Sequence, residues 1–178
     1  GAILARHFGK TNSGRDKARK GDVESEADLE TESYIVGALQ EAFPGDAILT
    51  EEHQKEYLYG KTISEAGRGR LWVIDALDGS RCFVRGVPGF GISIALISKD
   101  EPELGMIYLP VSNELFWAQR GQGAFLGDTK IKVVDEQELD HLFCGTIFNA
   151  SRKSGKNFFG IYERIDEHGI WRINPGPA

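Results

Sequence analysis

The chain has 178 residues, of which 40% are hydrophobic, and its formal net charge is −6. This length and apolar content suit a soluble globular protein with one or two domains, and the acidic balance argues against nucleic acid or a phospholipid surface as a partner. Because no apolar run approaches the ~20 residues that a membrane-spanning helix needs, we expect no membrane segment.

The two cysteines, Cys82 and Cys144, form no pattern typical of a disulfide framework. Disulfide scaffolds of secreted proteins use more cysteines at regular spacing, so we expect both thiols to be reduced and the protein to be cytoplasmic. The histidines lack metal-ligand spacing, and structural or solvent-facing positions are therefore favoured for all four: His7, His53, His141 and His168.

The first part of the chain predicts a helix, a loop and a second helix. Residues 2–8 have the character of the last turns of a helix, and residues 9–21 form a polar basic loop, either solvated or a flap that helps to bind phosphate or a third metal. Ser25 or Asp28 then caps the second helix, and residues 43–45 end it. Its apolar face is predicted from helical spacing: Ile35, Ala38, Leu39 and Ala42.

The most closely spaced candidate functional residues of the chain follow a predicted buried strand at residues 71–74. Asp75 and Asp78 lie directly after it, and two carboxylates at the end of a buried strand repel each other unless a positive charge neutralises them. A hard cation such as Mg²⁺ selects these oxygen ligands. Gly79 and Ser80 then predict a tight turn whose backbone N–H groups could bind an anion. Such a combination indicates chemistry on phosphate.

Two further acidic clusters favour this interpretation over a simple solvent-exposed turn. Residues 47–50 predict another short strand, which ends in Glu51 and Glu52, and Asp28 stands near the start of the second helix. Between the two strands, residues 53–70 are polar and rich in glycine, which predicts a loop or flap. Further along, strands are expected at residues 90–97, 103–109, 114–119, 124–126 and 142–149, and a helix at residues 154–168.

With these motifs in this order, residues 2–133 resemble the lithium-sensitive, Mg²⁺-dependent phosphatase superfamily of inositol monophosphatases and their relatives. The signature of that family, D-P-x-D-G-T-x-x-F-x-x-G-x-P, is matched by D-A-L-D-G-S-R-C-F-V-R-G-V-P at residues 75–88. The family's upstream acidic motifs match Asp28 and residues 50–52, and a later G-x-G-A-F turn matches residues 121–125.

The resemblance implies a mixed α and β layered fold of the sugar-phosphatase type shared by inositol monophosphatase and fructose bisphosphatase. Residues 1–140 would form a metal-binding N-terminal phosphatase domain with an antiparallel sheet and helices. Residues 141–178 would be the incomplete beginning of a C-terminal α/β domain. A homodimer and lithium inhibition are likewise implied by the resemblance.

The same resemblance implies the metal ligands. Glu51 and Asp75, with the backbone carbonyl of Leu77, would hold one Mg²⁺ ion, and Asp75 would bridge to a second ion that Asp78 also ligates. Glu52 would either contact the metal ligands without binding an ion itself or help to bind a third ion. Two divalent ions close together are a familiar clamp for displacement at phosphorus.

Catalytic and substrate-binding roles are implied in the same way. Asp28 and Ser80 would orient and deprotonate the attacking water, next to the metal ligand Glu51, and Ser80 keeps the hydroxyl of the threonine usual in the family. The substrate phosphate would meet the backbone N–H groups of Gly79 and Ser80, beside Asp78.

The chain departs from the family pattern in two respects. Ala76 replaces the usual proline of the signature, which makes the turn less preorganised. No W-D-x-A-x-G motif, which supplies a further metal-ligating aspartate in the family, occurs before Ala178. We therefore expect a fragment, or a protein without its second half, with weak binding of the second metal and poor turnover.

The predicted function is a Mg²⁺-dependent phosphomonoesterase that hydrolyses a small phosphorylated polyol or sugar, such as an inositol monophosphate, by means of a metal-activated water and two or three Mg²⁺ ions. One alternative is a histidinol-phosphate or nucleotide bisphosphate phosphatase of the same superfamily. A second is a truncated, non-catalytic metal- or phosphate-binding module. An aspartyl-phosphate mechanism ranks lower, since it typically uses D-x-D rather than the D-A-L-D found at residues 75–78.

Overall fold

The computed structural model describes residues 1–10, 15–16, 23–53, 63–133, 135, 143–145 and 171–173. The chain divides into two compact units, Gly1–Lys132 and Val133–Ala178. Among the described residues, every helix is too short or too polar to cross a lipid bilayer. Cys82 is a free thiol, as predicted.

The first unit begins with helix α1 (Ala2–His7), two short antiparallel strands, β1 (Arg15–Asp16) and β2 (Val23–Glu24), and helix α2 (Glu26–Ala42). Ser25 caps α2, because its Oγ accepts a hydrogen bond from the backbone N–H of Asp28 at 3.2 Å. This confirms the first of the two predicted caps. The predicted polar loop at residues 9–21 contains β1, which pairs with the residues just before α2.

A seven-stranded sheet forms the body of the first unit, with its strands in the same order as in the chain. Only the first two neighbours are parallel, and all the others are antiparallel. The strands are β3 (Ala47–Thr50), β4 (Arg70–Asp78), β5 (Gly91–Ser98), β6 (Glu101–Leu109), β7 (Glu114–Gln119), β8 (Gly123–Leu126) and β9 (Thr129–Ile131). Two further helices lie along this stretch, α3 (Ile63–Arg68) before β4 and α4 (Ser80–Val84) after it.

In this region one predicted strand is confirmed but ends later than expected, and one predicted loop is wrong over residues 63–68. The strand expected at residues 71–74 continues to Asp78, since Ala76 and Leu77 are buried and extend the apolar segment past Asp75. The predicted loop at residues 53–70 contains α3, whose Ala66 packs with Ala47 and Leu71. A short helix becomes stable there because tertiary packing outweighs the low helix propensity of a glycine-rich segment.

The predicted apolar face of α2 is only half correct. Ile35 and Leu39 pack on the core, but Ala38 and Ala42 are exposed. The face turned inward is completed instead by polar residues that are buried with their hydrogen-bonding partners: Asp28, Thr31 and Glu32. A pattern of apolar residues alone therefore places the buried face incorrectly.

Besides the cluster around Ala66, two larger apolar clusters hold the other helices on the sheet. In one, Val36 of α2 packs on Ile48, Trp72 and Ile74 of the sheet. The other joins the ends of several elements, and its buried members are Leu4, Ala27, Leu77, Phe83, Phe90 and Ile92. Each fully buried aromatic or aliphatic side chain contributes about 1.5–3 kcal/mol. The second cluster consequently anchors the start of α2 and the short helix α4 to the end of β4.

The second unit contains a parallel pair of strands, β10 (Phe143–Gly145) and β11 (Trp171–Ile173). Parallel neighbours need a long crossover connection, in keeping with the separation of the two strands in the chain. The strand predicted at residues 142–149 is confirmed over its described part. The remainder of it, and the helix predicted at residues 154–168, lie outside the described residues.

Candidate active site

The parallel pairing of β3 with β4 brings two acidic residues side by side. The last paired residues are Thr50 and Ile74, so the residues that follow them, Glu51 and Asp75, are neighbours at the same end of the sheet. Adjacent strands lie about 4.7–4.9 Å apart. Both residues, together with Ser93 of β5, line a cavity of about 460 Å³.

The strand irregularity after Asp75 separates it from the next acidic residue. Asp75 pairs with Ser93 and Asp78 pairs with Gly91, so β4 uses one more residue than β5 over this interval. A bulge of this kind interrupts the ladder of backbone hydrogen bonds locally. Within it, the backbone N–H of Leu77 donates to Oδ1 of Asp75 at 3.1 Å, which fixes the carboxylate relative to the strand. Bulges often lie next to active sites and redirect side chains.

Gly79 forms a turn that requires glycine. Its φ is 88°, in the left-handed region, and a Cβ atom there would lie 2.4 Å from the carbonyl oxygen of Gly89. The chain then enters α4, and the backbone N–H of Phe83 donates to the carbonyl oxygen of Gly79 at 3.0 Å. Asp78 is exposed at the entrance to this turn, and Ser80 is half-buried at its exit.

Asp28 approaches the same region from α2. It lies in the first turn of the helix, where a negative charge interacts favourably with the helix dipole, and it is only 3% exposed. Its neighbour Ala27 belongs to the same cluster as Leu77 and Phe83. The packing therefore brings the start of α2 close to the end of β4 and to α4, which precede and follow the turn at Gly79.

Glu32, a carboxylate of α2 that is only 1% exposed, is not among the residues predicted from the sequence. Its Oε2 accepts the backbone N–H of Glu52 at 3.2 Å, and its Oε1 lies 2.5 Å from Nδ1 of His53. His53 is therefore a structural partner of a buried acid. The spacing of Glu32 from Asp28, one helical turn along the same face, is the signal that could have identified it.

The donor atoms offered at this end of the sheet are oxygens, the type that Mg²⁺ prefers. Glu51 and Asp75 are adjacent, whereas Asp78 lies beyond the bulge and is exposed. Across the described ranges, no three acidic, histidine or cysteine side chains are grouped closely enough to hold a metal ion. The donor set thus fits a hard cation in kind, with one adjacent pair of carboxylates rather than a closed cage.

Comparison with known proteins identifies the family. The profile of the inositol monophosphatase family matches residues 1–169. The chain belongs to this family. The resemblance predicted from the sequence is confirmed by this match, and the family is one of phosphatases. The predicted mixed α and β fold of the chain is confirmed by the solved structure described next.

Individual relatives and a solved structure support the assignment of the chain to this family. A protein of Thermotoga maritima named fructose-1,6-bisphosphatase/inositol-1-monophosphatase is 34% identical over 195 residues, covering 98% of this chain and 72% of its own length. Nus factor SuhB of Xylella fastidiosa is 36% identical over 157 residues, covering 86% of this chain and 53% of its own length. A solved structure of a Thermotoga maritima IMPase superposes with a TM-score of 0.81 at 30% identity, over 97% of this chain and 62% of that one. The chain therefore spans only part of the length of the proteins it matches.

Proposed function

We propose that the protein is a Mg²⁺-dependent phosphomonoesterase that acts on a small phosphorylated polyol or sugar. The observation that carries the proposal is the position of Glu51 beside Asp75 at the end of the parallel pair, next to the glycine turn at Gly79. Carboxylates beside a half-buried, conformationally restricted turn suit a metal-assisted reaction at phosphorus.

Four residues would hold the metal ions: Glu51, Asp75 and Asp78 through their carboxylates, and Leu77 through its backbone carbonyl. Divalent ions bound there would lower the pKa of water and neutralise negative charge on phosphate. Support comes from the bulge, which disrupts the strand ladder where Leu77 lies, and from the bond between Leu77 N–H and Asp75, which restrains one ligand before any ion arrives.

The chain's own residues would bind the phosphate and move the proton. Backbone N–H groups of Gly79 and Ser80 would donate to phosphate oxygens, and preorganised donors of this kind stabilise the charge that develops in the transition state. Asp28, buried and held by α2, would accept the proton of the attacking water through or beside the hydroxyl of Ser80. Lithium inhibition and a homodimeric assembly belong to the same proposal, as features of the family.

The substrate class is the least specific part of the proposal. The name of the Thermotoga maritima relative joins fructose-1,6-bisphosphate and inositol monophosphate, and histidinol phosphate and nucleotide bisphosphates are alternatives within the superfamily. A panel of these phosphomonoesters, tested on the intact natural protein with release of inorganic phosphate as the readout, would rank them.

A second candidate follows from relatives that are named Nus factor SuhB and match over the same region. Such a role, or that of a non-catalytic metal- or phosphate-binding module, would not need turnover. Calorimetric titration with Mg²⁺ together with the phosphate-release assay separates these possibilities: Mg²⁺ binding without release by any substrate in the panel favours the non-catalytic candidates.

Substitution of the ligands tests the phosphatase directly. Asp75→Asn and Glu51→Gln keep the size of each side chain but remove its charge, and we expect both to abolish phosphate release while the fold is retained. Glu30→Gln, on the face of α2 that contacts α1, is the matched control and should release phosphate at the native rate. Unchanged turnover in Asp75→Asn would refute the assignment.

A further inference from the structure

A buried carboxylate on α2 contacts the turn that carries Glu51. Acidic side chains are almost never fully buried unless they are paired, and Glu32 is 1% exposed. Its two oxygens engage two successive residues, through the backbone N–H of Glu52 and Nδ1 of His53. With Glu32 ionised, the imidazole would donate from Nδ1, giving a charge-assisted hydrogen bond, which is stronger than a neutral one.

These contacts restrain Glu51 from both sides. Before it, Thr50 is fixed by its register with Ile74, and the Oγ1 of Thr50 accepts the backbone N–H of His53 at 3.1 Å. After it, the N–H of Glu52 is held by Glu32. Because that N–H belongs to the peptide unit between Glu51 and Glu52, its orientation limits the backbone angles of Glu51 and hence the direction of its side chain.

We propose that Glu32 is a positioning residue for the candidate metal site, with His53 as its second point of attachment. This inference rests on the proposed function, in which Glu51 is a metal ligand. Glu32 acts through the turn rather than by contact with ion or substrate. It holds the Glu51 carboxylate toward Asp75 before an ion binds, which lowers the reorganisation that binding requires.

A carboxylate that only stabilised the fold would behave differently. Its loss would lower the free energy of unfolding, but the folded molecules would bind Mg²⁺ as before. A positioning residue changes the affinity of molecules that remain folded, and removing the groups that orient metal ligands typically weakens binding about 10–100-fold. Metal affinity, measured below the thermal transition, is therefore the readout that separates the two roles.

The test uses the intact natural protein and calorimetric titration with Mg²⁺ alone. Glu32→Gln and His53→Ala should raise the Mg²⁺ dissociation constant about 10–100-fold. His53→Asn, which keeps a side-chain N–H donor, should restore most of the affinity. Glu30→Gln removes the same charge two residues away, on the face of α2 that contacts α1, and should leave the constant unchanged. Hydrogen exchange at the Glu52 amide should accelerate in Glu32→Gln without a matching rise elsewhere in α2.

The outcomes are distinct. Folded Glu32→Gln and His53→Ala proteins that bind Mg²⁺ as tightly as the native protein would overturn the positioning role and leave the proposed function standing. If Glu32→Gln does not fold, the Mg²⁺ dissociation constants of His53→Ala and His53→Asn test the positioning role by themselves. The side chain of His53 is 40% exposed, so its replacement disturbs packing little. If the native protein fails to bind Mg²⁺, or if Glu51→Gln binds it normally, the proposed function fails and the positioning role falls with it.

Discussion

Gly79 lies so close to the loop after α4 that a Cβ on it would sit 2.4 Å from the carbonyl oxygen of Gly89 and 3.0 Å from the Cα of Phe90. Both of these atoms belong to the backbone, so neither can move aside cheaply. The same glycine has a φ of 88°. The turn proposed to bind phosphate is thus restricted by sterics as well as by backbone conformation.

Gly79→Ala should therefore lower the free energy of unfolding by more than the about 1–2 kcal/mol expected from left-handed strain alone, and should also reduce phosphate release. Gly86→Ala is the control, because Gly86 also has a positive φ, of 70°, but a Cβ there would meet nothing within 4 Å. Urea denaturation of both variants measures the difference. Equal losses of stability would show that the contact with Gly89 is unimportant.

Charge removal at the adjacent carboxylates should have opposite effects with and without metal. In Asp75→Asn, the repulsion between Glu51 and Asp75 disappears, and the acceptor of the Leu77 N–H can be retained. We expect the metal-free protein to be as stable as the native one or more stable by up to about 1 kcal/mol, since Glu51 is solvent-exposed. Added Mg²⁺ should raise the melting temperature of the native protein only. A similar increase in the variant would argue against Asp75 as a ligand.

Asp46 joins the beginning of β3 to β4. Its Oδ2 accepts hydrogen bonds from Nε1 of Trp72 at 3.0 Å and from Nε of Arg70 at 2.9 Å. Asp46→Ala removes the acceptor of the largely buried Trp72 indole, and leaving such a donor unsatisfied costs about 1–3 kcal/mol.

Chemical denaturation of this variant is best compared with Glu101→Ala. That substitution removes an exposed ion pair with Arg120, and exposed pairs contribute about 0–1 kcal/mol. The prediction for Asp46 is wrong if the two substitutions change the free energy of unfolding equally.

Glu30 gives the folded protein an acid-sensitive contact between α1 and α2. Hydrogen bonds from His7 and then Arg6 lower the pKa of the Glu30 carboxyl below its ordinary value of 4.5. A depressed pKa means that the stabilisation is present above the ordinary value and is lost as the pH falls through the lower, folded-state value. Glu30→Gln should therefore flatten the fall in unfolding free energy that the native protein shows as the pH drops from 4.5 through the lowered, folded-state pKa of Glu30. Parallel curves for the two proteins would contradict this.

Most of the strand segments and the acidic residues that follow the strands at residues 47–50 and 71–74 could be predicted from the sequence, because apolar segments and signature motifs are local signals, whereas the parallel pairing of β3 with β4 could not. The extension of β4 to Asp78 could not, since it depends on the bulge opposite β5. Glu32 escaped notice for a similar reason: burial of a carboxylate depends on donors supplied by Glu52 and His53, which are distant in the chain. Ala38 and Ala42 are exposed because the face of α2 that is turned inward is completed by the polar residues Asp28, Thr31 and Glu32.

Register, rather than the length of the intervening chain, sets the spacing of Glu51 and Asp75. The residues between β3 and β4 form a crossover whose closure entropy changes slowly, by about 0.6 kcal/mol for each doubling of its length. Insertions and deletions between His53 and the start of α3 can therefore accumulate during evolution without moving either carboxylate. Homologues should differ most in the length of this connection, while an acidic residue is kept at each of the two positions that correspond to Glu51 and Asp75.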